Sequence, residues 1–451
     1  MASIGTNYDP ATTAQALAES STAGRQQILK RQSDTAIAVQ KALATLGSAL
    51  SSFQTSLASL TGTNKTLSAN SAVFSDTTVA SATASPAATA GTYAFFVEQV
   101  ASSHKVSYGA MTDFAGTGTM TLGVGAASFT LDLTTKPTWT VRDLAAAING
   151  ATGNTSLSAS VVTTGATSEL VLSSTATGAA NTISVSTSAG ADAALQTKVN
   201  VTPNLLSAAQ DAIVRIGSNT GTPITQPGNT FNVIDGVSMT LTKAQVPGSA
   251  PVTLTVAADA TKTTANVQAF VDAYNKLKSA IDGMVSPGDP ASGGAIGPFA
   301  GDSGVRALRD RLVSMVRGTG GTSLAGFGII ATREGTLSVD GTRLTKAMAA
   351  NPTGLDTLIG SSAGTGSSGI AGKLDTYLKM WTNSANGQIG SRKEAVTKLQ
   401  SSLTDRQVSL DRQYDSAYKR YLAQFSQLQT LQSSMSYNTS LFDALFSSSK
   451  D

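Results

Sequence analysis

A chain of 451 residues, 41% of them hydrophobic, has room for roughly two to four domains with real cores. Only 13% are charged, about half the usual share, and Lys plus Arg (31) nearly balances Asp plus Glu (28), so the net charge of +3 leaves no polybasic footprint for nucleic acid or an anionic membrane. The absence of cysteine excludes disulfides, thiolate metal ligands and cysteine nucleophiles. No stretch approaches about 18 consecutive apolar residues, which argues against a membrane-spanning helix. Residues 1–25 hold no basic segment followed by an apolar run, so a cleavable secretory signal is not expected. The Ser, Thr, Ala and Gly that replace the missing charge, as from Asn154 to Ser188, suit an extracellular protein. Composition and missing signal together point to a cytoplasmic protein of odd composition or to export by an unconventional route.

In chain order, Met1 to Gly24 is rich in Ala, Ser and Thr and reads as frayed, or ordered only on a partner. Leu29, Gln32, Ala36, Val39, Leu43, Leu46, Leu50, Phe53, Leu57 and Leu60 then fall at heptad spacing, predicting a helix from Arg25 to Leu60 that stops before Gly62. From Val73 the period shortens to two. Thr92 to Glu98 reads as a strand, followed by the polar cluster Ser102 to Lys105. A hairpin turning near Gly125 joins Thr121–Val124 to Phe129–Leu133. Thr140 caps a short helix with Val141, Leu144, Ala145 and Ile148 on one face. Strands follow at Leu157 to Val162, Glu169 to Ser173 and Thr182 to Ser186. A second set runs from Ile213 to Val256, with an Asp235-Gly236 hairpin and Val252, Leu254 and Val256 completing three strands.

Thr264 to Val285 is predicted helical, with Val267, Phe270, Val271, Tyr274, Leu277 and Ile281 inward. Another helix carries Val305, Leu308, Leu312 and Val316, capped by Asp302 or Ser303 before and Gly318 after. A hairpin turns at Arg333-Glu334-Gly335, and Asp340 caps a short helix through Met348. Gly360 to Gly372 reads as a flexible linker. The last segment carries a second heptad stripe through Val396, Gln400, Leu403, Gln407, Leu410, Tyr414, Ala417, Tyr421, Gln424, Leu428, Leu431 and Met435, with Phe425 beside it.

These elements predict an α+β chain: a terminal α-helical coiled-coil stalk with two β-rich modules, one inserted in the other, displayed at its end. The expected partition is a leg over residues 1–24, a coiled-coil helix over 25–72, a β domain from 73–105 and 206–262, and an inserted β-rich domain over 106–205. A helical and hairpin domain packing on the stalk follows over 263–359, then the Ser/Gly linker over 360–372 and C-terminal coiled-coil helices and leg over 373–451. Leu43 to Leu60 is expected to pair with Val396 to Leu410. Tyr414 to Phe446 and Met1 to Ile37 would then have too few partners inside one chain, which makes them the expected docking surface. The candidate seam for partner helices is Leu43, Leu46, Leu50, Phe53, Leu57, Val396, Leu403, Leu410, Tyr414, Tyr421, Phe425, Leu428, Leu431 and Met435.

No catalytic, cofactor or metal site assembles. Gly360, Ser362 and Gly364 spell GxSxG, but a hydrolase elbow needs a preceding strand and a later histidine, and the single histidine is His104, read as a solvated strand-end residue. Gly364, Gly366 and Gly369 spell GxGxxG without the strand a dinucleotide site requires. Gly372-Lys373 lacks the rest of a phosphate loop. Arg306, Arg309, Arg311 and Arg317 share an amphipathic helix and read as a solvated face or as intersubunit ion pairs.

Ser3-Ile4-Gly5, the heptad helix, the run Val271-Asp272-Ala273-Tyr274-Asn275-Lys276-Leu277, the segment Gly328 to Leu344 with Arg333-Glu334-Gly335-Thr336-Leu337, and Tyr421-Leu422-Ala423-Gln424-Phe425 with Leu428 and Met435 together resemble the flagellar filament cap family, also called hook-associated protein 2. One departure is Thr6-Asn7-Tyr8-Asp9 after Gly5, where that family usually has a Ser-Gly-Leu-Asp type run. The resemblance implies a non-enzymatic protein exported through the flagellar type III channel. It implies a homo-oligomeric ring, usually of five subunits, at the filament tip, promoting flagellin polymerisation and preventing its leakage. Implied partners are other copies of the chain, flagellin, a neighbouring hook-associated protein and a cytoplasmic export chaperone, with no cofactor, nucleic acid or membrane span. The alternatives are a surface adhesin carried on a coiled-coil stalk, with glycan binding by the 106–205 module, and a filament or junction subunit.

Overall fold

The computed structural model describes residues 9–447 apart from 166, 290, 292 and 318–322. The expected cap at Gly318, the Ser3-Ile4-Gly5 segment and the rest of the leg up to Tyr8 lie outside the described residues. Helices run α1 (Pro10–Thr61), α2 (Val141–Gly150), α3 (Ala193–Val199), α4 (Ala260–Val285), α5 (Ser303–Arg317), α6 (Gly341–Ala350), α7 (Gly354–Ile359), α8 (Gly369–Thr382) and α9 (Gln388–Ser447). Together with several antiparallel sheets they make an α+β chain. It divides into two compact units, residues 1–67 with 264–451, and residues 68–263.

The first unit is built on the two terminal helices. The frayed leg expected up to Gly24 is, from Pro10 on, already part of α1. Asp9 caps it, its carboxylate accepting from the N–H groups of Ala11 (3.1 Å) and Thr12 (3.3 Å), and Pro10 fits the first turn because its missing N–H would have had no intrahelical partner. Sequence position 10 therefore starts a helix of 52 residues, about 78 Å long. α1 and α9 run antiparallel, with Arg25 donating to Gln413 (2.5 Å) and Gln400 to Gln40 (3.0 Å). In this register Leu29 and Ala36 pack with Leu403 and Leu410, not Leu43 to Leu60 as the spacing had suggested.

Leu43, Leu46, Leu50, Phe53 and Leu57 instead enter the main core, against Val267, Phe270, Val271, Tyr274, Leu277 and Ile281 of α4 and apolar residues of α5 to α8. Phe53 meets Tyr274 edge-on, the ring centroids 6.4 Å apart. Residues 264–359 thus share one core with the terminal helices. Two sequence motifs far apart in the chain touch there. Tyr274 donates to the carbonyl of Gly335 (3.1 Å), and Asn275 makes paired bonds of 2.8 Å with the backbone N–H and C=O of Leu337, fixing the Arg333-Glu334-Gly335 hairpin on α4. Gly335 takes φ +86°, and a Cβ there would press into Val313 at 2.8 Å, so the turn needs glycine. At the other end of α5, Asp302 caps the helix through Val305 N–H and binds Arg392 of α9 through both carboxylate oxygens (2.5 and 3.2 Å). Burial pushes the Asp302 carboxyl up, but the hydrogen bonds from Arg392 and the backbone N–H groups outweigh it and hold it below the usual range.

The Gly360 to Gly372 stretch is folded rather than a flexible linker. The N–H of Ser362 donates to the carbonyl of Thr61 (2.9 Å), Ser361 Oγ does the same (3.0 Å), and Ile370, Ala371 and Gly372 are buried at the start of α8. These residues satisfy the carbonyl end of α1, which explains why small hydroxylated residues sit there.

The second unit holds two β cores. A five-stranded sheet in the order Asn70–Phe74, Val252–Ala258, Gly91–Gln99, Ala212–Ile216, Pro223–Gln226 shares a core with the three-stranded sheet Thr230–Ile234, Val237–Leu241, Ala80–Ala84. The Val252 strand therefore pairs with Gly91–Gln99 and Asn70–Phe74 and does not complete the Asp235-Gly236 hairpin. The other core packs α2 and α3 with two sheets, one of four strands (Asn204–Ser207, Ser103–Met111, Thr167–Thr177, Leu157–Thr164) and one of three (Ile183–Thr187, Thr119–Val124, Ala127–Asp132). The expected borders at 105/106 and 205/206 both fall inside strands, and those strands pair with each other, Leu205 opposite Val106 and Ser207 opposite Lys105. Thr140 and Asp143 form the capping box of α2, and Gly125 and Gly236 take the positive φ their hairpin turns require.

His104 stands near a strand end, as read, but is partly buried rather than fully solvated. It lies in the Ser103–Met111 strand, where its Nδ1 accepts the backbone N–H of Ile183 (2.9 Å) from the neighbouring sheet, and burial pulls its pKa below the ordinary histidine value. An acceptor Nδ1 requires the neutral ring. As pH falls below about 6.5 the unfolded chain takes up the proton before the folded one does, so stability drops there and is fully present above that value. Thermal unfolding followed between about pH 7.5 and 5.5, the range over which histidine titrates, should lose this slope in His104→Asn, whose side-chain oxygen keeps an acceptor in place. In the first unit, Leu410→Ala should cost about 2–5 kcal/mol in chemical unfolding followed by circular dichroism, because Leu410 is 6% exposed between the two long helices.

Candidate functional site

The seam of α9 keeps one heptad register throughout: Leu403, Leu410, Ala417, Gln424 and Leu431 at one position, Tyr414, Tyr421, Leu428 and Met435 at the other. Its burial declines steadily along the chain. Val396 packs on the main core, Leu403, Leu410 and Ala417 are buried, and Tyr414, Tyr421 and Phe425 are half-buried. Leu428 is 46% exposed, Leu431 59%, Met435 62% and Phe442 62%.

The partner of the buried part is α1, including its alanine-rich beginning. Ala14 and Ala18 are fully buried and Thr22 nearly so, at a spacing of four that puts them on one face. Continued at the register set by Arg25 and Gln413, Pro10 lies level with about Leu428. Residues 10–37, expected to lack a partner, therefore cover α9 from Leu403 to about Leu428, and only the part of α9 beyond that level extends past the described length of α1. The sequence signal for this was Asp9-Pro10, an N-cap followed by a first-turn proline, with Ala14 and Ala18 four residues apart. The expectation built on large apolar residues passed over it.

The seam is thus in two parts. Leu43, Leu46, Leu50, Phe53 and Leu57 belong to the interior of the first unit, together with Val396, Leu403 and Leu410. Leu428, Leu431 and Met435 stand open on the surface, joined by Leu441, Phe442 and Leu445, which carry the apolar pattern further. A helix with such a stripe is an unfinished pair: its chemistry is association with another helix through apolar contact.

The other candidate chemistry resolves into structure. Ser362 is buried and bonded to Thr61 Oγ1 (3.1 Å), within a cap rather than on a nucleophile elbow. On α5, Arg309 pairs with Asp310 (2.8 Å) and Arg317 donates to the carbonyls of Thr332 and Arg333 (both 3.2 Å). A cleft of about 520 Å³ beside them sets Lys278, Arg309, Arg317 and Arg333 against Asp282, Asp310 and Glu334, so most of its positive charge has a carboxylate beside it. Among the described residues no cluster of three His, Asp or Glu side chains is placed to hold a metal ion, and no helix is long and apolar enough to cross a membrane.

Comparison with known proteins agrees with the geometry. Residues 209–437 match the family model of the flagellar hook-associated protein 2 C-terminus, residues 6–104 that of its N-terminus, and residues 119–176 the flagellin hook IN motif. The lateral flagellar hook-associated protein 2 of Vibrio parahaemolyticus is 36% identical over 389 residues, spanning 83% of this chain and 85% of that protein. The B-type flagellar hook-associated protein 2 of Pseudomonas aeruginosa is 31% identical over 421 residues, spanning 87% and 86%. Among solved structures, the D1-D2-D3 domains of the flagellar cap protein FliD from Escherichia coli align with a TM-score of 0.61 at 25% identity, over 79% of this chain and 99% of that one. The chain, with its paired terminal helices and β-rich middle, belongs to the flagellar hook-associated protein 2 family of filament cap proteins.

Proposed function

We propose that this chain caps the distal tip of the bacterial flagellar filament as a homo-oligomeric ring, promoting flagellin polymerisation and keeping unpolymerised flagellin from escaping, and so sustaining filament elongation and motility. The observation that carries the reading is the open apolar seam from Leu428 to Leu445 on a helix whose inner half is already paired. Family membership supplies the assembly; the seam supplies the surface by which a copy grips helices that are not its own. A closed ring uses repeated heterologous contacts, while the filament beneath it has another symmetry, so subunits meet it in non-equivalent ways. A seam of apolar contact, without directional ion pairs, tolerates such differences. No step of this function needs bond chemistry, so the protein acts as a structural part and not as an enzyme. A chain without cysteine also suits export in the unfolded state through the flagellar type III channel, delivered by a cytoplasmic chaperone and arriving next to the hook-associated proteins already in place.

Deleting residues 424–451 should leave the β-rich unit folded, as read by its thermal transition, while cells release flagellin monomer into the medium and grow few filaments. In the full chain, Leu431→Asp with Met435→Asp should change the stability of the purified protein by less than about 0.5 kcal/mol, since both side chains are exposed, yet reproduce the leakage. Filaments of normal length with no flagellin in the medium, from a variant shown to be exported, would overturn the reading.

A further inference from the structure

The charge of α9 stops abruptly. From Arg392 to Arg420 the helix carries eleven Asp, Glu, Lys and Arg side chains; from Tyr421 to Phe442, 22 residues, it carries none, nor a histidine. A helix that docks by one stripe and keeps its far side in water ordinarily charges that far side. Here the positions opposite the seam are Ser426, Ser433 and Ser440, seven residues apart. Nor are the apolar groups confined to the stripe: Tyr437 is 67% exposed and Leu441 45%, and both lie off the heptad seam.

The hydroxyls add a separate observation. Thr430, Ser433, Ser434, Thr439 and Ser440 each turn back onto the carbonyl four residues earlier, at 2.8 to 3.0 Å. Each of these hydroxyls is satisfied within the helix itself and can leave water without stranding its donor, while the uncharged amides of Gln427, Gln429, Gln432 and Asn438 are left to be met by surrounding uncharged polar groups.

We infer that residues 421–442 are buried on all sides, not along one stripe, in a bundle of helices at the filament end whose facing surfaces are themselves apolar or uncharged. This rests on the capping reading and names the chemistry of its partner surface. Recognition is then by shape, apolar contact and neutral hydrogen bonds, little affected by salt, and intolerant of charge on any face of the segment. An acidic or basic partner helix would not fit it.

The test uses the full chain and sheared flagellin filaments. Co-sedimentation with filaments should weaken by at least about tenfold in Ser433→Glu, opposite the seam, and by less than about threefold in Ser433→Gln, which matches its size without charge. Wild-type binding should change by less than about threefold between about 0.1 and 0.5 M NaCl, a range that shortens the screening length about twofold for any exposed ion pair. Circular dichroism controls for helix content, which Glu at an exposed helical position does not lower. Binding by Ser433→Glu equal to wild type, equal losses in Ser433→Glu and Ser433→Gln, or a steep salt dependence would each overturn the inference. So would a change in the solution mass of Ser433→Glu without filaments, which would make a second copy of this chain the occupant. If Leu431→Asp abolishes binding while Ser433→Glu keeps it, only the all-round burial is wrong; if both keep it, the capping reading itself falls.

Discussion

An amphipathic helix in water must cover its apolar stripe, and this chain does so with a helix from its other end. α9 has 60 residues and α1 has 52, and they run antiparallel in a register that carries α1 past the start of α9 at the inner end and α9 well past the start of α1 at the outer end. The inner part of that pairing is conventional packing of Leu29, Ala36, Leu403 and Leu410. Further out, α1 offers only Ala14, Ala18 and Thr22, side chains too small to enclose the tyrosines and phenylalanine of α9, which remain half-buried. Burial stabilises in proportion to apolar area, about 25 cal/mol per Å², so the pairing weakens toward the chain ends by construction. The seam side chains of α9 left uncovered are those beyond the reach of α1.

Sequence reasoning saw this seam because period is the strongest signal a long helix carries, and it read the inward faces of α2, α4 and α5 residue by residue for the same reason. Turn chemistry was equally legible: Asp235-Gly236, Gly125, Arg333-Glu334-Gly335 and the caps at Thr140, Asp302 and Asp340 all stand where read. What periodicity cannot supply is register between elements. The stripe on α1 looks continuous from Leu29 to Leu60, yet Leu29 and Ala36 face α9 while Leu43 to Leu57 face α4 and its neighbours. A helix turns its stripe toward whatever apolar surface the tertiary structure brings, and nothing local marks the handover. The strand Ser103–Met111 was missed because its polar opening, with His104 and Lys105, masks a pairing that depends on a backbone N–H from Ile183, about eighty residues away. The Ser and Gly run of residues 360–372 reads as a linker by composition, but small residues also fit where backbone passes close to backbone, as Gly372 does beside Ser361 and Ser367.

The contacts between distant motifs explain why certain short runs define the family resemblance. Asn275 presents its amide to both backbone groups of Leu337, an arrangement only Asn or Gln supplies and only Asn at that reach, while Tyr274 adds a bond to Gly335 from within the core. The hairpin in turn receives Arg317 at the carbonyls of Thr332 and Arg333, so α4, α5 and the turn lock one another. Arg392 ties α9 to the start of α5 through Asp302 and lies over the Trp381 ring of α8 at 5.4 Å. These fixed points hold the inner end of α9 rigidly, which gives its outer end a defined starting direction.

The same antiparallel device recurs at each level of the chain. The termini leave and return as α1 and α9. The β-rich unit begins and closes with Asn70–Phe74 against Val252–Ala258, and within it the second β core is entered by Ser103–Met111 and left by Asn204–Ser207, strands that pair with each other. Each excursion therefore starts and ends on neighbouring, hydrogen-bonded segments, and its closure depends on that pair and not on what lies between. An insertion framed in this way leaves the surrounding sheet intact whatever its own content. The chain is a set of nested loops whose outermost pair is made of helices. About eighteen residues of α9, at roughly 1.5 Å each, lie beyond the level of Pro10, and no part of the described α1 covers their apolar side chains.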